Sequence, residues 1–93
     1  MNDVVTLMTA IGEVVGRISS TTETDYIVDN PRLFAQMDGS AGFVPGVSMT
    51  GAKNPEQVTF SKSQVIFMVE TDPQVAAQYL ESVTGIALSG LAL

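Results

Sequence analysis

Residues 57–69 read Gln-Val-Thr-Phe-Ser-Lys-Ser-Gln-Val-Ile-Phe-Met-Val, and this stretch decides the fold class. Gln57 to Phe60 and Val65 to Val69 are rich in the β-branched and aromatic residues that suit a pleated surface. Between them Ser61-Lys62-Ser63 is short and polar enough for a tight turn, so two strands are predicted here. Val65-Ile66-Phe67-Met68-Val69 is apolar at every position rather than at alternate ones, the pattern of a strand covered on both faces.

Upstream, Val4 to Met8 is a second β-branched and apolar run. After Thr9-Ala10-Ile11-Gly12, alternation resumes from Glu13 to Ser19, with Val14, Gly16 and Ile18 on one face and Glu13, Val15 and Arg17 on the other. The two runs predict a hairpin-like opening. Gly12 and Gly16 precede no helix and so do not form a nucleotide-binding glycine loop. Their predicted role is sharp bending of a strand where side chains would collide. Ser19 to Thr24 is a polar loop of turn-forming hydroxyls. The chain alternates again through Tyr26, Ile27 and Val28 to Asp29-Asn30-Pro31, where proline removes a ladder donor and marks an edge, bulge or bend. Leu33, Ala35 and Met37 continue on one face with Phe34 opposite, and Asp38 to Gly42 turns the chain. Phe43 to Thr50 is predicted as a strand bent at Pro45-Gly46, with Phe43, Val47 and Met49 inward, and Gly51 to Pro55 is a loop carrying Lys53.

Downstream lies a helix over residues 73–84. Asp72 suits its N-cap, Pro73 its first turn, and Gly85 a left-handed stop. Val75, Ala76, Tyr79, Leu80 and Val83 form one apolar stripe at helical spacing, which needs a sheet to lie on. Ile86 to Leu93 is an apolar tail broken only at Ser89 and Gly90, expected to dock on its own sheet or a neighbour's.

Ninety-three residues fit one domain, 1–93, with the strands at about 4–70. The hydrophobic fraction of 45% against 15% charged residues is too apolar for disorder and leaves few charges to coat a monomer, so contact with other subunits is expected. The chain has no cysteine and no histidine. That removes disulfides, the usual zinc sites and the Ser-His-Asp and Cys-His arrangements, and the chain reads as no enzyme, with no cofactor and no metal. Met1 to Gly16 lacks the basic start of a secretion signal, and the apolar tail is far short of the ~20 residues that span a bilayer. A soluble, cytoplasmic protein with no membrane partner is expected.

The net charge of −6 disfavours a broad footprint on a polyanion, but a ring multiplies each cation by its copy number. Tyr26, Asn30, Arg32 and Phe34 gather an aromatic, an amide and a cation near the proline bend, residue types suited to stacking a base and binding its edge or phosphate. The competing reading makes Tyr26 and Phe34 core or interface and Arg32 a solvated edge charge. Lys62, in the tight turn, divides the same way. The acidic pairs Glu23 with Asp25, Asp29 with Asp38, and Glu70 with Asp72 lack the spacing of a calcium loop or two-metal site and read as loop charges, with Asp72 as a cap.

This order of elements is that of a small five-stranded, strongly bent antiparallel barrel. Val5-x-Leu7, then Gly12, Gly16 and Ile18, then Asp25 and Asn30, resembles the first signature of the Sm-like family. The likeness is closer to diverged Sm-like proteins of marine phages and ocean metagenomes, through Gly12-Glu13, Asn30-Pro31-Arg32-Leu33, and Tyr79 with Thr84-Gly85-Ile86. The resemblance implies an Sm-like barrel with a C-terminal α-helix and a cyclic homo-oligomer that binds single-stranded RNA or DNA and serves nucleic-acid processing, in a host cytoplasm if the source is a phage. It makes Asn30 the base-contacting amide and Tyr26 a stacker. Val65-Ile66-Phe67 stands where that family's Ile-Arg-Gly would fall, so Arg32 or Lys62 would have to supply the missing cation. The alternative is a phage structural or adaptor ring that acts through protein contacts.

Overall fold

Strand β1 (Val4–Thr9) runs antiparallel to β2 (Gly12–Thr21) across a two-residue turn. Gly12 holds φ +126°, a conformation closed to most side chains, and the Thr9 hydroxyl donates to the Gly12 carbonyl at 2.9 Å to brace the turn. The structure, a computed structural model, describes residues 3–37, 39–48 and 50–84. Beyond the hairpin come β3 (Asp25–Met37), β4 (Ser40–Phe43), β5 (Gln57–Ser61), a 3-10 turn (Lys62–Gln64), β6 (Val65–Glu70) and the helix α1 (Pro73–Thr84). The chain is thus mainly β, and its described residues form an antiparallel six-stranded sheet with one helix following it.

The sheet order is β4-β3-β2-β1-β6, and the outer edge of β3 is divided between two partners. Asp25 to Asp29 pairs with β5, and Phe34 to Met37 with β4. Between them β3 bends at Asn30, which sits at φ +48°, and at buried Pro31. There the register against β2 slips, Val15 facing Arg32 but Arg17 facing Asp29, so an extra residue bulges opposite Gly16. Gly16 allows this close approach: a Cβ on it would lie 2.5 Å from Val28 Cγ1 and 3.1 Å from the Asp29 carbonyl oxygen. The bending role predicted for this glycine follows directly from those distances.

The two faces of the sheet carry two cores. On one, Leu7, Val14 and Val28 are fully buried, with Ile18, Tyr26, Leu33, Val47, Phe60 and Val65 against them. Phe60 of β5 and Val65 of β6 come from opposite ends of the sheet and reach the same cluster, so the sheet curls over this face. On the other face, α1 lays Ala76, Tyr79, Leu80 and Val83 on Val4, Val15, Phe34 and Phe43. Phe43 meets both the Phe34 and Tyr79 rings edge to face, with centroids 4.9 and 5.8 Å away. Asp72 caps the helix, its carboxylate accepting the Gln74 and Val75 N–H groups at 3.0 and 3.4 Å.

Three expectations need correction. The strand predicted from Phe43 onward ends there: β4 is Ser40–Phe43, and 44–48 is non-strand chain. Phe43 and Val47 therefore pack on opposite faces, while Met49 and Asp38 lie outside the described residues. The strands flanking Ser61-Lys62-Ser63 form no hairpin ladder with each other, because the 3-10 turn sends β5 to β3 and β6 to β1. Finally, among the described residues nothing covers β6 beyond Val65: Ile66, Phe67, Met68 and Val69 are 69%, 49%, 39% and 50% exposed. The expected stop at Gly85 and the docking of Ile86 to Leu93 fall outside the described residues. Among the described residues no helix is long and apolar enough to cross a membrane.

Candidate nucleic-acid interface

Three segments meet where β2 passes into β3 and β5 into β6. In the first, the Thr22 hydroxyl accepts the Thr24 and Asp25 N–H groups at 3.2 and 2.9 Å, a side-chain-braced turn. The Lys62 N–H then donates to the Thr24 carbonyl at 2.8 Å and ties the 3-10 turn to this loop. The Ser61 and Ser63 hydroxyls bridge that turn at 2.8 Å. Tyr26, opposite Phe60 in the ladder, lies half-buried at the same corner, and the Lys62 Nζ sits 5.3 Å from its ring centroid. The structure therefore brings together Tyr26 and Lys62, which the sequence separates by 36 positions.

This corner has a simple chemistry. A cation over a half-buried aromatic ring at the surface is held by about 1 kcal/mol, little enough for an incoming base to displace it. The ring would then stack and the ammonium would be free for a phosphate. Glu23 stands in the adjoining loop and Asp25 opens β3, so one copy of the corner carries more negative than positive charge.

Asn30 and Arg32 occupy a different place. Four residues of strand put Asn30 roughly 13 Å from Tyr26. Its N–H donates to the Glu56 carbonyl at 2.8 Å, and its own carbonyl accepts the Tyr79 hydroxyl at 2.8 Å. Among the described residues its side-chain amide has no hydrogen-bond partner.

Arg32 is neither a surface ligand group nor a solvated edge charge. It is 3% exposed, its Nη1 donating to the Pro31 and Pro55 carbonyls at 2.8 and 3.3 Å. Burial lowers its pKa, and its buried Nε has no partner among the described residues. The reason is parity. An uninterrupted strand would place Tyr26, Arg32 and Phe34 on one face, but the bulge at Asn30-Pro31 flips the alternation, so Arg32 and Phe34 turn to the helix side.

Sequence reasoning missed the part of Tyr79. Its ring belongs to the predicted apolar stripe, yet its hydroxyl also reaches the Asn30 carbonyl at 2.8 Å and the Asp29 carbonyl at 3.3 Å, clamping α1 to the bend. Burial pushes its pKa up to about 12. Arg17 pairs with Asp3 at 3.1 Å on the surface, which lowers the Asp3 pKa and raises that of Arg17. Asp29 accepts a hydrogen bond from the Gln57 amide at 2.8 Å, and among the described residues no three carboxylates gather as metal ligands would.

No protein-family model, no curated protein and no solved structure matches this chain.

Proposed function

We propose that copies of this chain join edge to edge into a closed ring that binds single-stranded RNA or DNA, Tyr26 stacking a base and Lys62 meeting a phosphate. The observation that carries this reading is β6. Four consecutive large apolar residues lie exposed on a strand whose outer edge has no ladder among the described residues, a combination that a solitary protein avoids. At the other end of the curled sheet β5 pairs, among the described residues, with β3 alone, which leaves a second edge to receive the β6 of a neighbour. Because the two edges lie on different parts of the molecule, the contact is head-to-tail, a kind that closes into a ring when the rotation between copies divides a full turn and otherwise runs on as a filament.

A hollow of about 240 Å³ beside β6, walled by Met8, Phe34, Phe67, Val69 and Val75, offers space for a neighbour's side chains. Five strands, β1, β2, β3, β5 and β6, contribute to the core on the curled face, which supports the five-stranded Sm-like barrel reading with β4 as an added arm.

In such a ring the turn joining β5 to β6 recurs in every subunit and sets a circle of Tyr26–Lys62 corners. Asn30, whose amide has no partner among the described residues, would meet a different nucleotide from the one on Tyr26. The reading includes no reaction, no metal and no cofactor, and places the protein in the cytoplasm. Titration of fluorescent uridine- and adenine-rich oligomers tests it. Lys62→Ala should weaken binding and lower the slope of log K against log salt by roughly 0.7 for each single-strand phosphate that the lysine neutralises. Equal affinity and slope for the two proteins would remove Lys62 from the interface.

The second reading, a structural or adaptor ring acting through protein contacts, is favoured by the net charge of −6 and the exposed β6. It predicts no oligonucleotide binding at physiological salt by an assembly that nevertheless forms.

A further inference from the structure

Away from β6 and from the Tyr26 corner, the curled sheet is open at the end where the β1–β2 turn faces the chain after β4. A cavity of about 490 Å³ lies in this mouth, within the roughly 300–1,000 Å³ typical of small-ligand sites. Ile11, Leu33, Val44, Pro45 and Val47 line it, together with Ser48 and Lys53.

The wall is set before any ligand arrives. Leu33 N–H donates to the Gly46 carbonyl at 3.1 Å, Val44 N–H to the Leu33 carbonyl at 2.9 Å, and Asn54 N–H to the Pro45 carbonyl at 3.2 Å. Residues 44–46 are thereby held between β3 and the Lys53 loop. Gly46 takes φ +139°, and a Cβ there would press to 3.2 Å on the Ala52 carbonyl oxygen, so the tight path of this wall depends on glycine.

The cations select the ligand charge. Of the four in the chain, Arg17 is paired with Asp3, Arg32 is buried against carbonyls and Lys62 lies over Tyr26. Lys53 has no ion-pair or ring partner among the described residues, and it stands at an apolar cavity in a protein of net charge −6. The Ser48 hydroxyl accepts the Gly51 N–H at 3.0 Å, which leaves its own hydrogen to donate. Ile11, 60% exposed at the rim, is a large apolar side chain with no cover among the described residues.

We infer that this mouth binds a small apolar molecule bearing one carboxylate, its chain lying against Ile11, Leu33 and Val47 and its head group at Lys53 and Ser48.

The test is titration of the full-length protein with octanoate and with octanol, followed by amide chemical shifts. Octanoate should move the resonances of Ile11, residues 44–48 and Lys53 and bind at least about tenfold more tightly than octanol. Lys53→Met should abolish that preference while leaving octanol affinity within about twofold. Ile11→Ser, at an exposed position that threatens no core, should weaken both ligands. Saturation at β6 or the Tyr26 corner, equal affinity for the two probes, no binding at millimolar concentration, or a preference that survives Lys53→Met would each overturn the inference. Binding that emerges only after residues 86–93 are removed would assign the mouth to that segment and overturn it equally.

Discussion

Replacing Gly16 by alanine tests the bend on which the rest of the fold depends. The added methyl would sit 2.5 Å from Val28 Cγ1, 3.1 Å from the Asp29 carbonyl oxygen and 3.4 Å from Pro31 Cα. Val28 is fully buried and cannot swing into solvent, and the two backbone neighbours are fixed by the Tyr79 hydroxyl through the Asp29 and Asn30 carbonyls. Overpacking of this kind costs about 1–3 kcal/mol, and the backbone share of the clash puts Gly16→Ala in the upper half of that range. In a domain of this size each kcal/mol lowers Tm by roughly 4–8 °C.

Val28→Ala removes the closest clashing atom and costs about 2 kcal/mol on its own from two buried methyl groups and the cavity left behind. The double variant should then be less destabilised than the sum by about 1 kcal/mol, the residual clash with Asp29 preventing full rescue. Urea unfolding followed by circular dichroism, at one fixed protein concentration because assembly adds to apparent stability, measures all three variants. A Gly16→Ala protein within about 0.5 kcal/mol of the parent, or a strictly additive cycle, would refute the claim that Gly16 exists to let β3 cross at contact distance.

Other outcomes follow from single interactions. Tyr79→Phe should cost about 1 kcal/mol because the hydroxyl no longer bonds to the bend, read as a Tm drop, with α1 retained by circular dichroism. Because burial raises the Tyr79 pKa from its ordinary 10 to about 12, the unfolded chain releases this proton first. Stability from this group is thus complete below pH 10 and falls by about 1.4 kcal/mol per pH unit up to about pH 12, a decline that Tyr79→Phe should lack in alkaline melts. Asp3→Asn should change stability by less than about 1 kcal/mol, since both partners of that ion pair are largely exposed, and the small effect should vanish in 1 M salt. Tyr26→Leu, which keeps apolar bulk but removes the stacking face, should weaken oligonucleotide binding by about 1–3 kcal/mol per stacked base; unchanged affinity in the same titration would exclude Tyr26 as a platform.

Local features were legible in the sequence because their causes are local. Asp72, Pro73 and the 3.6-residue stripe specify α1 without reference to the sheet, and the alternation around Gly16 locates the first hairpin and its bend. Partner choice was not legible. Gln57 to Ser61 and Val65 to Glu70 look like a hairpin because they are adjacent and β-prone, yet the turn between them parts their ladders, and no pattern within 57–69 names β3 and β1 as the partners.

The same limit applied to the candidate site. Tyr26 and Lys62 meet only through the β3–β5 ladder, while Arg32 was misplaced because one left-handed Asn30 reverses which side chains face the helix. The all-apolar run in β6 reads as a strand covered on two sides, yet among the described residues Ile66 to Val69 lie exposed, because the sequence pattern records the apolar surface and not what meets it.

That unmet requirement makes the mass of the particle in solution the most direct test of ring assembly. Light scattering coupled to gel filtration at micromolar concentration should give a single multiple of the 9.8 kDa chain, and Phe67→Lys with Val69→Lys on β6 should reduce it to one chain with α1 and the hairpin still folded. A parent protein that elutes as a stable 9.8 kDa monomer would contradict edge-to-edge assembly and, with it, the circle of Tyr26–Lys62 corners.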